Sequence, residues 1–295
     1  MTAQAVQTTR TMAPAPKRKP QGAFRRLLRK PTGAFGLVVV GLLVATALAA
    51  PLITSFAPEA QIGPRLAPPG GEFILGTDQF GRDIFSRLVH GTRVSLIVGL
   101  VSVGVGATIG TIAGLISGYF GGWVDQVTGR AWDVVLAYPG ILLGVLVVAI
   151  AGPSLSSVIW AVAIINVPIF ARLVRSQALR ERQLEYVQAA KVSGASGWRI
   201  AFGDVLPNCL APVLVQVSVS MGFAILMESA LSFLGLGTQP PDASWGSMLD
   251  EGRGFLREAP WFGFFPGLVL AVLLIALNFL SDALREVLDP QRGRN

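Results

Sequence analysis

Residues 94–124 read VSLIVGLVSVGVGATIGTIAGLISGYFGGWV, a stretch with no charged side chain, bounded by Arg93 and Asp125. A helix needs roughly 20 apolar residues to cross the hydrocarbon core of a bilayer. This stretch exceeds that length, and it is not alone. Charge-free runs recur at 34–57, 134–171, 205–227 and 261–281. The run 134–171 is too long for one crossing, and Gly152-Pro153-Ser154 near its middle favours a turn. Splitting it into helices near 132–151 and 155–173 gives six spans, the expectation for an all-α polytopic membrane protein.

Composition agrees. Hydrophobic residues make up 52% of the 295, charged residues 14%, and the mean hydropathy is +0.59. Soluble domains carry about 25% charged residues, so the chain lacks the polar surface to cover itself in water. Cys209, the only cysteine, excludes an intramolecular disulfide, and His90, the only histidine, argues against a His-rich metal site. No Gly-Lys pair occurs, so the phosphate-cradling loop G-x-x-x-x-G-K-[ST] is absent. The G-x-S-x-G elbow and H-E-x-x-H are absent too. No catalytic residue and no metal site is expected.

Orientation is read from Lys and Arg, which concentrate on the cytoplasmic side. With the N-terminus inside, the inner segments hold eighteen of these residues and the outer segments six. The clusters Lys17-Arg18-Lys19 and Arg25-Arg26 through Arg29-Lys30 are topology determinants that touch anionic headgroups, not a nucleic-acid site. Ala47-Leu48-Ala49 looks like a cleavage site, but the basic region before it is long for a signal peptide. The first span is therefore read as an uncleaved signal-anchor.

The expected order is a basic tail (1–33), a first span (34–56), an external segment with an amphipathic helix (57–93) and spans at 94–117, 132–151 and 155–173. A cytoplasmic loop (174–208), a fifth span (209–236), an external loop (237–260), a sixth span (261–281) and a tail (282–295) complete it. In the second span Gly106, Gly110, Gly114, Gly118 and Gly122 repeat at every fourth position. Such a face lets another helix approach closely and gain van der Waals contact.

The 174–208 segment is long and polar. Residues 181–193 read as a short helix with Leu184, Val187 and Ala190 on one side. Gly194 supplies a left-handed stop, and Ser196 caps a second helix that exposes Trp198 and Phe202. A helix–Gly–helix hairpin of this kind suits a groove on a partner. In the external segment Phe80, Ile84 and Leu88 recur every four residues and Asp83 is placed to pair with Arg87. That describes a short amphipathic helix at the outer surface. Glu228 is the most deeply placed charge, and ionisable groups at such depth face a cavity or a partner. Two readings stand: a pair with an arginine of this or a second subunit, or a substrate contact.

The sequence Gln188-Ala189-Ala190, three residues, Gly194, eleven residues, Leu206-Pro207 resembles the "EAA" loop of bacterial ABC importer permeases, E-A-A-x3-G-x9-I-x-L-P. Gln188 stands in the Glu place and Asp204 where Ile is usual; Glu185, in Glu185-Tyr186-Val187, is the nearby carboxylate. Three further segments resemble the "C"-type dipeptide/oligopeptide/nickel permeases. They are Leu75-Gly76-Thr77-Asp78 to Arg87, Glu228-Ser229-Ala230-Leu231-Ser232-Phe233-Leu234-Gly235 with Trp245-Gly246, and Phe265-Pro266-Gly267 to Pro290.

The resemblance implies the MetI-like fold of type I ABC importers with both termini cytoplasmic, and a transport subunit of a peptide-type importer in the bacterial inner membrane. It further implies a homologous second permease of the DppB/OppB type, one or two ATPase subunits holding ATP and Mg, and an extracellular solute-binding protein. This chain would bind no cofactor itself. Glu185, Gln188, Ala189, Ala190, Gly194, Leu206 and Pro207 would then couple to the ATPases. The alternative is a secondary transporter driven by an ion gradient, which calls for intramembrane carboxylates and inverted repeats. Glu228 is its one candidate, and no repeat is visible.

Overall fold

A computed structural model describes residues 23–288. The helices, in chain order, are α1 (Ala23–Leu28), α2 (Pro31–Leu48), α3 (Ala50–Ile53), α4 (Ile84–Phe120), α5 (Gly122–Ala137) and α6 (Gly140–Ala151). After them come α7 (Leu155–Glu181), α8 (Glu185–Val192), α9 (Gly197–Arg199), a π-helical turn (Ile200–Val205), α10 (Leu206–Phe233), α11 (Trp245–Arg253) and α12 (Pro260–Leu288). Extended pairing among the described residues is confined to three isolated bridges, Gln61–Arg82, Gly70–Phe73 and Thr77–Asp83. The chain is all-helical.

Among the described residues five segments are long and apolar enough to cross a membrane: α2, α4, α7, Gly197–Phe233 and α12. The pair α5–α6 makes a sixth only if its two halves are joined across a 93° bend. The 132–151 span expected as one helix is thus a broken one. The break falls at Tyr138-Pro139, where Tyr138 takes an extended conformation (ψ 138°). A residue before proline is pushed out of the helical region by the ring. At 1.5 Å per residue α6 alone is about 18 Å long, short of the ~30 Å hydrocarbon core.

The glycine stripe organises the bundle. A Cβ on Gly106 would stand 2.7 Å from Asn166 Cβ, one on Gly110 2.5 Å from the Val167 carbonyl oxygen, and one on Gly118 2.7 Å from that of Arg175. One on Gly114 would collide with the Ala171 carbonyl. The contacts advance together along both chains, so α4 and α7 run parallel, backbone against backbone. Gly122 departs from the expected face: a Cβ placed there would meet nothing within 4 Å. Gly121 and Gly122 have φ of +69° and +62°, and that left-handed pair ends α4 and turns the chain into α5.

On the other side α10 packs antiparallel to α4, with Ile225 against Gly99, and α12 packs antiparallel to α2 through Gly33 and Gly36. One apolar core joins Val98, Leu115, Phe170, Val174, Val187 and Ala224. A second joins Ile84, Trp245, Met248, Phe262 and Leu273. The first connects the bundle to the 182–205 hairpin at one end, and the second connects it to α11 at the opposite end.

Candidate functional site: the 182–205 hairpin and two buried polar clusters

α7 continues about three turns beyond its last apolar run, through Arg172 and Arg175, before stopping at Glu181. Asp125 and Asp133 on α5 pair with Arg175 and Arg172. Arg182, just past the helix, donates from Nη1 to the carbonyl oxygens of Gly118 (3.2 Å) and Tyr119 (3.4 Å). Those carbonyls belong to the last turn of α4, where no intrahelical donor remains and a cation is favoured. This corrects the expected helix over 181–193. Residues 182–184 form a turn, Leu184 becomes the extended N-cap of α8, and its side chain is exposed.

α8 buries one residue fully, Val187. Its neighbour Tyr186 donates to Glu181 Oε2 (2.6 Å) and accepts from Asn208 Nδ2 (3.1 Å), joining the end of α7 to the start of α10. The hydroxyl is pushed up to about 12, first by burial and then by the Glu181 hydrogen bond and charge. Gln188 donates to the Arg182 carbonyl (2.9 Å). After Val192 the chain closes a Schellman motif: Ala195 N–H donates to the Ala190 carbonyl (3.1 Å), and Gly194 N–H to that of Lys191 (3.0 Å). Gly194 has φ +81°, the region that glycine enters without Cβ conflict.

Ser196 Oγ then accepts from Arg199 N–H (3.4 Å) and starts α9. Trp198 stacks on Phe202 (5.8 Å) and meets Phe120 at a tilt (4.8 Å), and Tyr119 meets Phe120 edge-on. The hairpin is therefore pinned to α4 by aromatic contacts as well as by Arg182. Ile200, Ala201 and Val205 of the π-helical turn are buried beneath it.

Of the residues singled out from sequence, Glu185, Gln188, Ala189 and Ala190 lie together on α8, and Gly194 follows directly. Glu185, Gln188, Ala189 and Gly194 are exposed, and Ala190 is half-buried. Leu206 packs against the core at the start of α10, with Pro207 exposed beside it. The hairpin tip also presents Val192, whose side chain is 90% exposed. Val192, Arg182 and the Tyr119–Phe120 pair were not among the expected site residues. The aromatic pair at the C-terminal end of a glycine stripe was the available signal.

The opposite end carries a charge cluster. Asp78 Oδ1 accepts from the N–H groups of Phe80 (2.8 Å) and Arg82 (3.0 Å), and Oδ2 from Arg82 Nε (2.5 Å). Glu251 of α11 accepts from Arg82 Nη2 (2.8 Å) and from Arg87 Nη2 (3.0 Å to each oxygen). Asp78 and Arg87 are wholly buried. Two guanidinium groups meet two carboxylates, which balances the charge that burial makes costly. The expected Asp83–Arg87 pair does not form. Asp83 instead caps α4, accepting from Ser86 N–H (2.9 Å) and Oγ (2.6 Å). Nor is there a separate amphipathic surface helix: Ile84 and Leu88 belong to the first turns of the long α4, and both are buried.

Glu228 is wholly buried on α10. Its carboxyl accepts from Ser232 Oγ (2.8 Å), Ser95 Oγ (3.3 Å) and Ser229 Oγ (3.4 Å). Ser244 at the start of α11 adds a further hydroxyl, so its partners among the described residues are serines, and no arginine of the described residues pairs with it. Among the described residues no group of His, Cys, Asp and Glu is placed to hold a metal ion.

Comparisons with known proteins agree on one family. Residues 110–294 match the family described as "Binding-protein-dependent transport system inner membrane component", and residues 21–69 match the N-terminal TM domain of oligopeptide transport permease C. The chain is 45% identical over 270 residues to a dipeptide transport system permease protein, DppC, of Alkalihalophilus pseudofirmus, covering 91% of this chain and 89% of the relative. It is 43% identical over 270 residues to a glutathione transport system permease protein, GsiD, of Pectobacterium atrosepticum, covering 91% and 90%. In fold it is similar to a chain of the MetNI methionine ABC transporter in an inward-facing conformation. The TM-score is 0.56 at 18% identity, covering 69% of this chain and 97% of that one.

Proposed function

The chain belongs to the family of binding-protein-dependent transport inner membrane components, and from that membership we propose that it forms half of the translocation pathway of a peptide importer. The relatives named for dipeptide transport support peptides as the cargo class. Its partners in this reading are a second permease of the DppB/OppB type, ATPase subunits that hold ATP and Mg, and an extracellular solute-binding protein. The absence of any Gly-Lys pair supports placing ATP hydrolysis on those partners. The Lys/Arg bias supports an inner-membrane orientation with the N-terminus and the 182–205 hairpin in the cytoplasm. The six crossings are assigned to α2, α4, α5–α6, α7, α10 and α12.

The observation that carries this reading is the hairpin itself. α8 and α9 stand exposed at one end of the bundle, yet they are fixed to α4 by Arg182 and Trp198 and to α7 and α10 by Tyr186. A surface so anchored passes a push from an ATPase directly into the membrane helices. Glu185, Gln188, Ala189, Ala190 and Gly194 form the docking face, Leu206-Pro207 the return into the membrane, and Glu228 an inter-helix anchor. Gly106, Gly110, Gly114 and Gly118 are the packing face.

The test is Gly194→Val in the full complex. At φ +81° a β-branched side chain costs roughly 1–2 kcal/mol of backbone strain, and the Schellman closure should open. Co-purification of the ATPases should fall and substrate-stimulated ATP hydrolysis should drop, while the permease pair itself still assembles. Unchanged ATPase retention and stimulation would refute docking at this hairpin. Transport into vesicles by this chain without ATPase partners would refute the importer reading as a whole.

A further inference from the structure

A cavity of about 380 Å³ opens at the hairpin end of the bundle, over the start of α10 and between the ends of α7 and α12. Its volume falls within the range of small-ligand sites, roughly 300–1,000 Å³. Leu173, Pro212 and Val215 supply apolar lining, Arg180 and Arg285 reach it from the last turns of α7 and α12, and Gln177, Asn208 and Gln216 add polar groups. Among the described residues no carboxylate lines it.

The two arginines are unusual for this end of the molecule. Neighbouring cations are matched there: Arg172 with Asp133, Arg175 with Asp125, Lys30 with Glu286. Arg180 has one polar contact, donating to Gln177 Oε1 (2.9 Å), and neither Arg180 nor Arg285 forms an ion pair among the described residues. Both sit in the last turn of a helix, where the macrodipole favours a cation. That explains each position singly. It does not account for two guanidinium groups lining one hollow without a carboxylate among the described lining residues.

Guanidinium groups bind phosphate oxygens through paired N–H donors. Apolar lining beside two guanidinium groups, on helices that cross the bilayer, has the amphiphilic profile of a phospholipid at its headgroup. We propose that this cavity is a binding site for a phosphate-bearing anion held by Arg180 and Arg285, with the headgroup of an anionic lipid as its source. The acyl chain would follow Leu173, Pro212 and Val215 into the membrane, and the bound lipid would fill the gap between α7 and α12.

The full complex, purified from membranes containing phosphatidylglycerol, tests this by lipid extraction and mass spectrometry. Each arginine near an anionic surface contributes about 1 kcal/mol, a factor of about five. The Arg180→Gln/Arg285→Gln complex should retain at least about fivefold less phosphatidylglycerol relative to phosphatidylethanolamine than the parent. Arg180→Lys/Arg285→Lys should retain most of it. Both side chains are exposed, so assembly should survive, and each single exchange gives a second reading if the double variant assembles poorly. Equilibrium dialysis with labelled inorganic phosphate separates the sources. Phosphate binding that the Gln pair abolishes, with lipid content unchanged, would move the assignment to a free anion and overturn the lipid source. Equal lipid and equal phosphate binding in parent and Gln variants would overturn the site altogether.

Discussion

Arg182 reaches 64 residues back along the chain to hold the carbonyl oxygen of Gly118 at 3.2 Å. That bond places the first residue of the hairpin on the last glycine of the stripe that α7 packs against. A charged donor to a carbonyl is worth roughly 1.5–3 kcal/mol when its loss leaves the acceptor unpaired. Arg182 is half-buried, so the lower figure applies. Arg182→Ala should leave the permease folded while lowering the ATP hydrolysed in response to substrate, and Arg182→Lys should restore part of it. Measuring stimulated against basal hydrolysis in reconstituted complex checks this. A change in both rates together would assign Arg182 to folding instead.

The stripe makes a steric prediction. Valine at Gly110 and Gly114 together should force α4 and α7 apart, because the added carbons meet backbone that cannot move aside. Overpacking of this kind costs about 1–3 kcal/mol per site, or more where backbone is the obstacle. Intact complex should be recovered in much lower yield. Gly104→Ala on the same helix meets nothing within 4 Å and should be recovered normally. Equal yields for the two would remove the packing argument.

At the opposite end, Glu251→Ala should leave Arg82 and Arg87 with Asp78 as their one carboxylate. Removing one partner from a buried pair typically costs about 3–5 kcal/mol. Glu251 is itself partly exposed, so about 3 kcal/mol is expected at this site. Thermal unfolding of the purified complex should shift down clearly, and Glu251→Gln, which keeps acceptor capacity, should lose less. An unshifted melting curve for the alanine variant would show that the cluster is dispensable.

Tyr186 yields a pH prediction. Its hydroxyl titrates near 12 in the fold against an ordinary value of 10.0. A group raised on folding contributes fully below its unfolded value and loses that contribution as pH climbs through the folded one. The Tyr186 contribution should be constant below about 10 and vanish between about 10 and about 12. The stability difference between the parent and Tyr186→Phe, followed against pH, should be flat and then shrink across that window. Shrinkage already at neutral pH would contradict the Glu181 bond as described.

Much of this architecture is written in local pattern. Charge-free runs mark the crossings, and four glycines at a spacing of four mark the face between α4 and α7. Gly194 and Ser196 mark the turn and cap of the hairpin because their effect is confined to neighbouring residues. The features that escaped are those decided at long range. Arg87 takes Glu251, 164 residues away, and a choice between that carboxylate and nearby Asp83 has no period to reveal it. The same holds for Arg182 and Gly118. Gly122 fits the spacing but falls after the left-handed turn at Gly121, where the helical register has already ended. For Glu228 the sequence leaves open an arginine of this or a second subunit or a substrate contact; within the described residues serines from α4, α10 and the start of α11 meet it.

At 37 residues and 1.5 Å each, α4 is about 55 Å long, and it carries Gly118 near one tip and Arg87 near the other. It has the form of a strut, braced over Gly106–Gly118 by the close approach to α7. Tilting such a strut by about 5° about one end displaces the other by about 5 Å, with no helix unwinding. In the proposed importer, a small torque delivered at the hairpin would therefore reach the Asp78–Glu251 cluster as a movement wider than a hydrogen bond, so one rod would link the two ends of the bundle.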